Sequence, residues 1–314
     1  MPSAYPFVTV IGAANVDIHG KPFEALRPND SNPGTVHTSA GGVARNAAEN
    51  LARLEVDCRL ISVVGDDDHG RTLTDTCRGA GIDMRYVREI PGARTSTYLS
   101  VLDDTGDMQV AVADMGIMDH LDVELLRTHQ SMLNQSALII LDANLPDDVL
   151  AWITGTFATV PIFADTVSTT KAPSVKPYLA SIHTLKTSTI EVEALTGNKA
   201  RTLPQLRRLA ARLHDEGVER VFITLGGQGV FYCAGDAQDI EKLTTGQRRV
   251  VNAGGAGDAF LAGLAYAWLE DLSLSQTLRF ALAAADITLS HHGTCSPALS
   301  LAAIKHALEA KHAD

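Results

Sequence analysis

Along most of the chain, short apolar runs ending in glycine or aspartate alternate with longer stretches whose apolar residues recur every three or four positions. The runs predict buried strands and the stretches predict helices. Phe7-Val8-Thr9-Val10-Ile11-Gly12 predicts the opening strand, and residues 41–54, with Ala44, Ala47, Ala48 and Leu51 at helical spacing, predict the first helix. Residues 59–65 predict a second strand and 70–79 a second helix. The alternation then breaks. Residues 95–102 and 108–114 predict two strands joined by Asp103-Asp104-Thr105-Gly106-Asp107, a β-hairpin with no helix between. It resumes with strand 137–142, helix 147–156, strands 160–165 and 182–185, helix 203–216 and strand 220–225. After Gly257 the pattern is helical over 259–269, 274–290 and 300–310.

Such alternation builds an α/β fold, a mostly parallel sheet covered by helices on both faces. The hairpin, joined by residues 20–38, predicts a smaller inserted sheet. No internal repeat or low-complexity linker interrupts the chain, whose 314 residues suffice for one large α/β domain or for two. Ligands in open α/β sheets sit beyond the carboxyl ends of the strands. Asn15/Asp17, Gly41/Gly42, Gly226/Gly227 and 254–258 all follow strands or open helices, which places them to converge on one cleft under the small sheet.

Composition acts mainly by exclusion. The formal charge of −11 is offset by no basic patch, so nucleic acid is not an expected partner. No stretch approaches the roughly 20 apolar residues of a membrane span. Residues 1–7 carry no basic region and no long apolar run, so no signal peptide is expected and the cytoplasm is the expected compartment. Cys58, Cys77, Cys233 and Cys295 are scattered without paired metal spacing, as reduced thiols would be.

The strongest chemical signal is Asn252-Ala253-Gly254-Gly255-Ala256-Gly257-Asp258, followed at once by an apolar helical stretch. Its glycines let backbone N–H groups approach an anion, and the helix start adds a positive dipole end. Asp258 at that mouth suits a base that takes a proton from a hydroxyl attacking a phosphate. A glycine-rich turn with Asp258 capping the helix explains the same residues. Asn15 and Asp17, two apart on extended backbone, point the same way and suit neighbouring sugar hydroxyls, or form a polar turn. Gly41 and Gly42 let a ligand approach the backbone before Asn46, or simply start a helix. Thr224, Gly226, Gly227 and Gly229 suit a nucleotide lying flat, or a hairpin turn into Val230-Phe231-Tyr232.

Taken together, Asn-x-Asp, Gly-Gly-x-x-x-Asn, Thr-x-Gly-x-x-Gly and Gly-Ala-Gly-Asp, in this order over essentially the whole chain, resemble the ribokinase-like (PfkB-type) carbohydrate kinases. Asp30-Ser31-Asn32-Pro33-Gly34, Thr95-Ser96-Thr97-Tyr98-Leu99-Ser100, Ala113-Asp114-Met115 and His183-Thr184-Leu185-Lys186 resemble the pseudouridine-kinase branch more than ribokinases, fructokinases or adenosine kinases. The resemblance implies a single ribokinase-like domain over residues 1–314, a three-layer sandwich with a lid from about 15–40 and 92–116, that transfers phosphate from ATP, with Mg²⁺, to the ribose 5′-hydroxyl of pseudouridine. By the same resemblance Asp258 is the base, and Gly255, Ala256 and Gly257 form the anion hole. Asn15, Asp17, Gly41, Gly42 and Asn46 hold the ribose. Ser31, Asn32, Thr97, Asp114 and Met115 face the uracil. Lys186, Ser188, Thr224, Gly226, Gly227 and Gly229 lie along ATP, and Glu191 serves the metal. A K⁺ site is implied near Val251, Ala253 and residues 290–296, and a homodimer paired through the small sheet, whose edges and faces need cover. The adjacent His291 and His292 suggest a metal less well, since neighbouring side chains point apart.

Two positions depart from the family pattern. Ser188 stands where Asn is usual in Asn-x-x-Glu, and Gly254 where Thr usually precedes Gly-Ala-Gly-Asp. Serine offers one hydroxyl in place of an amide, so weaker metal or phosphate affinity is expected rather than loss of activity. Glycine at 254 keeps the backbone amide and loosens the loop. Two rival readings follow: another sugar or nucleoside kinase of ribokinase or adenosine/inosine type, and a non-catalytic nucleoside-binding regulator.

Overall fold

The computed structural model describes residues 6–235, 237–241, 254–291 and 293–310. The strands are β1 (Phe7–Ile11), β2 (Asn15–Pro22), β3 (Gly34–Gly41), β4 (Asp57–Gly65), β5 (Val87–Ile90), β6 (Thr97–Leu102), β7 (Met108–Asp114), β8 (Leu138–Asp142), β9 (Ile162–Asp165), β10 (Thr184–Ser188), β11 (Arg220–Thr224), β12 (Val230–Ala234) and β13 (Ala237–Glu241). The α-helices are α1 (Val43–Arg53), α2 (Asp68–Gly79), α3 (Val123–Thr128), α4 (Gln130–Leu133), α5 (Asp147–Thr156), α6 (Thr189–Thr196), α7 (Leu203–Asp215), α8 (Ala256–Leu269), α9 (Leu274–Leu289) and α10 (Leu301–Ala310).

A nine-stranded sheet runs β13-β12-β11-β10-β9-β8-β1-β4-β5, parallel from β5 to β11, with β12 antiparallel to both of its neighbours. Every residue of β1 and β8 is buried because both faces are covered. Alternation sends Val8, Val10, Leu60, Leu138 and Ile140 to one side, against α1, α8 and α9. Ile11, Ile61, Ile139 and Leu141 go to the other, against α5, α6 and α7. This is the expected three-layer sandwich with a mostly parallel sheet.

The second sheet has four strands in the order β3-β2-β6-β7. Residues 15–41 form its β2–β3 hairpin, from Asn15↔Gly41 at the root to Pro22↔Gly34 at the tip, and β6–β7 is the hairpin read from residues 95–114. Both ends of the β2–β3 hairpin thus return to the carboxyl end of β1 and the start of α1.

Three differences from the sequence reading have physical causes. The parallel crossover from β9 ends in β10 at residues 184–188 instead of 182–185, because Lys186 and Thr187 are buried polar residues that hide the strand from an apolar pattern. Helix α6 was not anticipated, although Ser188 and Glu191 form a reciprocal capping box at its start. The edge strand β5 is short and half exposed, so it lacks the apolar run of a central strand.

Gly42, the residue before α1, has φ +97° and no room for a side chain. A Cβ there would lie 2.4 Å from the Ala13 carbonyl oxygen. Gly42→Ala is therefore expected to cost on the order of 1–3 kcal/mol in denaturant unfolding, whereas Gly116→Ala, where a Cβ meets nothing within 4 Å, is expected to leave the midpoint unchanged.

Candidate active site

Helix α8 is largely apolar and buried along its length, so its first turn is held firmly at the carboxyl end of the sheet. Gly255 caps it in a left-handed conformation, φ +79°, and a Cβ there would sit 1.8 Å from the Thr294 carbonyl oxygen. At Gly257 a Cβ would meet Lys186 Nζ at 2.6 Å, so only glycine leaves the ammonium over the helix start. The first-turn N–H groups of a helix have no intrahelical acceptor and carry the positive end of the dipole. With Lys186 above them they make an anion cradle.

Asp258 stands beside this cradle, in the same turn, and is buried. Asn46 Nδ2 on α1 donates to its Oδ2 at 2.7 Å. Asp165, at the end of β9, pairs with Lys186 Nζ at 2.9 Å. Burial first, and then the Asp165 charge, push the Asp258 carboxyl up to about 7, against the pull of Lys186, the Asn46 amide and Arg45. Burial pulls Lys186 down, but Asp165, Asp258 and Glu191 outweigh it and hold the ammonium charged. A carboxylate titrating near neutrality can accept a proton at physiological pH.

The Asn46 amide is oriented by its other end. Its Oδ1 accepts from the Arg45 guanidinium and from Thr294 Oγ1, the latter at 3.0 Å, so Nδ2 is aimed at Asp258. Arg45 is wholly buried, pairs with Glu49, and donates to the Gly41 and Ala40 carbonyls at 3.1 and 2.8 Å and to Thr294 Oγ1 at 3.1 Å. One guanidinium thus ties the root of the small sheet to α1 and to the loop lying against Gly255. Asn15 Nδ2 donates to Asp17 Oδ1 at 2.6 Å, and the Asp17 carboxylate lies over Gly41, where a Cβ would be 2.3 Å away. Burial raises the Asp17 carboxyl, with the Asn15 amide and the charges of His19 and Arg45 opposing.

Asp142, at the end of β8, was not singled out from sequence. Its Oδ2 accepts from the Ala13 and Ala44 amides at 2.9 and 3.1 Å, pinning both the segment into Asn15 and the first turn of α1. Burial raises its carboxyl to about 6. Arg45, Asp165 and Thr294 were missed as well. Asp142 and Asp165 each close an apolar strand run, which is the one signal that marks them.

On the far side of the cradle, Ser188 N donates to Glu191 Oε2 at 2.9 Å and Thr166 Oγ1 donates to the same oxygen at 2.7 Å. Ser188 Oγ in turn caps α6. Thr224 ends β11, and residues 226–228 form a tight turn into β12, so the hairpin reading of this segment holds as geometry. A Cβ at Gly226 or Gly227 would meet nothing within 4 Å, which leaves that turn an open surface.

The residues expected to face a base are dispersed. Ser31 and Asn32 lie in the loop at the hairpin tip, where the Asn32 side chain bonds to the Arg27 backbone and the Asp30 carbonyl. Thr97 and Asp114 are in register with Val16, on the face opposite Asp17. Met115 packs against the main core. Val251, Ala253 and His292 lie outside the described residues, and His291 Nδ1 accepts from the Gly293 amide at 2.9 Å. Among the described residues no cluster of three or more His, Cys, Asp or Glu could hold a metal, and no helix is long and apolar enough to cross a membrane.

A buried carboxylate beside a helix start that can hold an anion, at the carboxyl end of a doubly covered sheet, is an arrangement suited to phosphoryl transfer. The chain belongs to the pfkB family of carbohydrate kinases, which its residues 6–301 match. It is 38% identical over 298 residues to the pseudouridine kinase of Escherichia coli (strain K12), covering 94% of each chain. A solved carbohydrate kinase from Agrobacterium tumefaciens superposes with TM-score 0.81 at 30% identity, over 97% of both chains. The fold is also that of Arabidopsis thaliana ribokinase, solved with ribose and ATP, at TM-score 0.81 and 24% identity, over 96% of this chain and 99% of that one.

Asn46→Ala removes the donor that stabilises ionised Asp258. The Asp258 carboxyl, followed by ¹³C NMR, is expected to titrate at higher pH than in the wild type, where it titrates near 7. An unmoved titration would show that Asn46 does not set the ionisation of Asp258.

Proposed function

We propose that this protein is an ATP-dependent kinase that phosphorylates the ribose 5′-hydroxyl of pseudouridine. The observation that carries the reading is the position of Asp258: buried, raised to about 7, and next to the glycine-lined start of α8. The likeness to a pseudouridine kinase over nearly the whole chain supports the choice of acceptor.

In this reading Asp258 accepts the hydroxyl proton. Asn46 holds Oδ2, and the remaining carboxylate oxygen faces the acceptor. The amides of Gly255, Ala256 and Gly257 and the Lys186 ammonium stabilise charge on the transferred phosphoryl group. Asn15, Asp17, Gly41, Gly42 and Asn46 orient the ribose. Thr224, Gly226, Gly227 and Gly229 offer the open turn on which ATP lies, and Ser188 stands between that turn and the cradle. The donor set fits the nucleotide: the cradle is one that a Cβ would fill, and it carries a buried cation. Mg²⁺, served by Glu191, spreads the negative charge of the phosphates when bound. Covering the cleft with the small sheet keeps water from competing with the acceptor.

We also propose a homodimer. The outer face of the small sheet exposes Val36, Leu99, Val110 and Val112, at 71, 44, 54 and 61% of their surface. These residues share one face across β3, β6 and β7, and a contiguous apolar sheet face calls for a cover. A second copy of the same face provides one.

Two measurements test these readings. ³¹P NMR of the wild-type reaction is expected to show a 5′-phosphate ester of pseudouridine, and Asp258→Asn is expected to cut turnover by roughly 10²–10⁴-fold; near-normal turnover of that variant removes Asp258 as the base. Sedimentation is expected to give a dimer for the wild type and a monomer for Val110→Lys/Val112→Lys, whereas a wild-type monomer contradicts the pairing.

A further inference from the structure

Alternation divides the small sheet into two chemically different faces, because in-register residues on neighbouring strands share a face. Asp17 is in register with Ser39 and Tyr98, and Tyr98 with Ala113. The next row towards the hairpin tip is His37, His19, Ser100 and Ala111. Both rows lie on the face where Asp17 meets the Asn15 amide and the Arg45 charge, which is the face turned to the cleft. The alternate rows, through Val16 and Ile18, lie on the outer face and include Thr97, Leu99, Val112 and Asp114.

Beyond the Asn15–Asp17 pair, the inner face carries a second preorganised polar pair. His19 Nδ1 and Ser100 Oγ are 2.6 Å apart, between strands β2 and β6. Ser100 is buried and His19 half buried, so the bond fixes the ring while leaving part of it accessible. Among the described residues the other ring nitrogen, Nε2, has no hydrogen-bond partner. His19 is two residues beyond Asp17, a step of about 7 Å along a strand. If the 5′-hydroxyl lies at Asp258, near the root of the sheet, and Asn15 and Asp17 hold the ring hydroxyls, C1′ and its base lie across the ring from C5′, on the tip side where His19 stands.

We propose that His19, locked by Ser100, reads the hydrogen-bonding edge of the nucleobase, with the Tyr98 ring beside it in the Asp17 row. The proposal rests on the nucleoside-kinase reading above and moves the base contacts from Thr97 and Asp114 to the inner face. The chemistry suits uracil. The Ser100 hydroxyl can donate to Nδ1 or accept from it, so Nε2 presents either an N–H or a lone pair. A uracil edge alternates carbonyl acceptors and N–H donors, and this pair answers either. A free pentose ends at the Asp17 row and leaves His19 untouched.

The test is the steady-state kinetics of His19→Ala, with His19→Asn as the conservative variant, on ADP release with pseudouridine. The expected result is a rise in KM for pseudouridine of about five- to tenfold, the worth of one hydrogen bond, with kcat, KM for ATP and the melting temperature unchanged and partial recovery in His19→Asn. An unchanged KM for the acceptor, or a parallel rise in KM for ATP, overturns the role. If the wild type prefers another nucleoside, KM is read for that nucleoside: a selective rise keeps the base-reading role while the pseudouridine assignment fails. If only free sugars, or no acceptor at all, are phosphorylated, there is no base to read and His19 loses the role together with the reading it rests on.

Discussion

A single hydrogen bond, from Asn46 Nδ2 to Asp258 Oδ2, joins the two halves on which the site depends. Asn46 belongs to α1, which starts where the small sheet returns to the body. Asp258 belongs to α8, whose first turn is the anion cradle. The bond has a defined sense because Arg45 and Thr294 occupy the amide oxygen. Arg45 in turn grips the Ala40 and Gly41 carbonyls at the lid root, and the Thr294 backbone lies against Gly255. The root of the small sheet, Asp258 and the start of α8 therefore share one buried network. A shift of α1 relative to α8 would disturb all three.

The charges around that bond are mostly acidic. Asp142, Asp165 and Asp258 are all buried at the carboxyl ends of strands or the start of a helix, and Lys186 and Arg45 are buried cations near them. Burying a carboxylate raises its proton affinity, and a second carboxylate nearby raises it further. Asp165 spends its charge on Lys186, which keeps the ammonium over Gly257. Asp142 takes three backbone amides, those of Ala13, Ala44 and Asn144, and serves as a staple. Among the described residues Asp258 has the Asn46 amide as its side-chain donor, and burial leaves it with a raised proton affinity.

Much of this was legible in the sequence where a pattern extends over several residues. The central strands stood out as apolar runs, and Gly41, Gly42, Gly255 and Gly257 marked places where other groups approach the backbone closely. The alternation Asn15-Val16-Asp17-Ile18-His19 also encodes the two faces of the small sheet, although it is too short to fix which strands lie beside it. Single polar residues were not legible. Arg45 reads as a solvent-facing charge on a helix, yet its partners include Thr294, 249 positions away. Lys186 and Thr187 concealed the end of β10 because the fold buries them to build the site. The proposed base-facing positions depend on strand register, which puts Tyr98 and not Thr97 in the row of Asp17.

The most direct measurement is ADP release by the purified protein with MgATP and, separately, pseudouridine, uridine, adenosine, ribose and fructose. The account predicts release with pseudouridine far above that with the other acceptors. No release above the acceptor-free rate with any of them would contradict the central claim that Asp258 delivers a hydroxyl to a phosphate held at the start of α8.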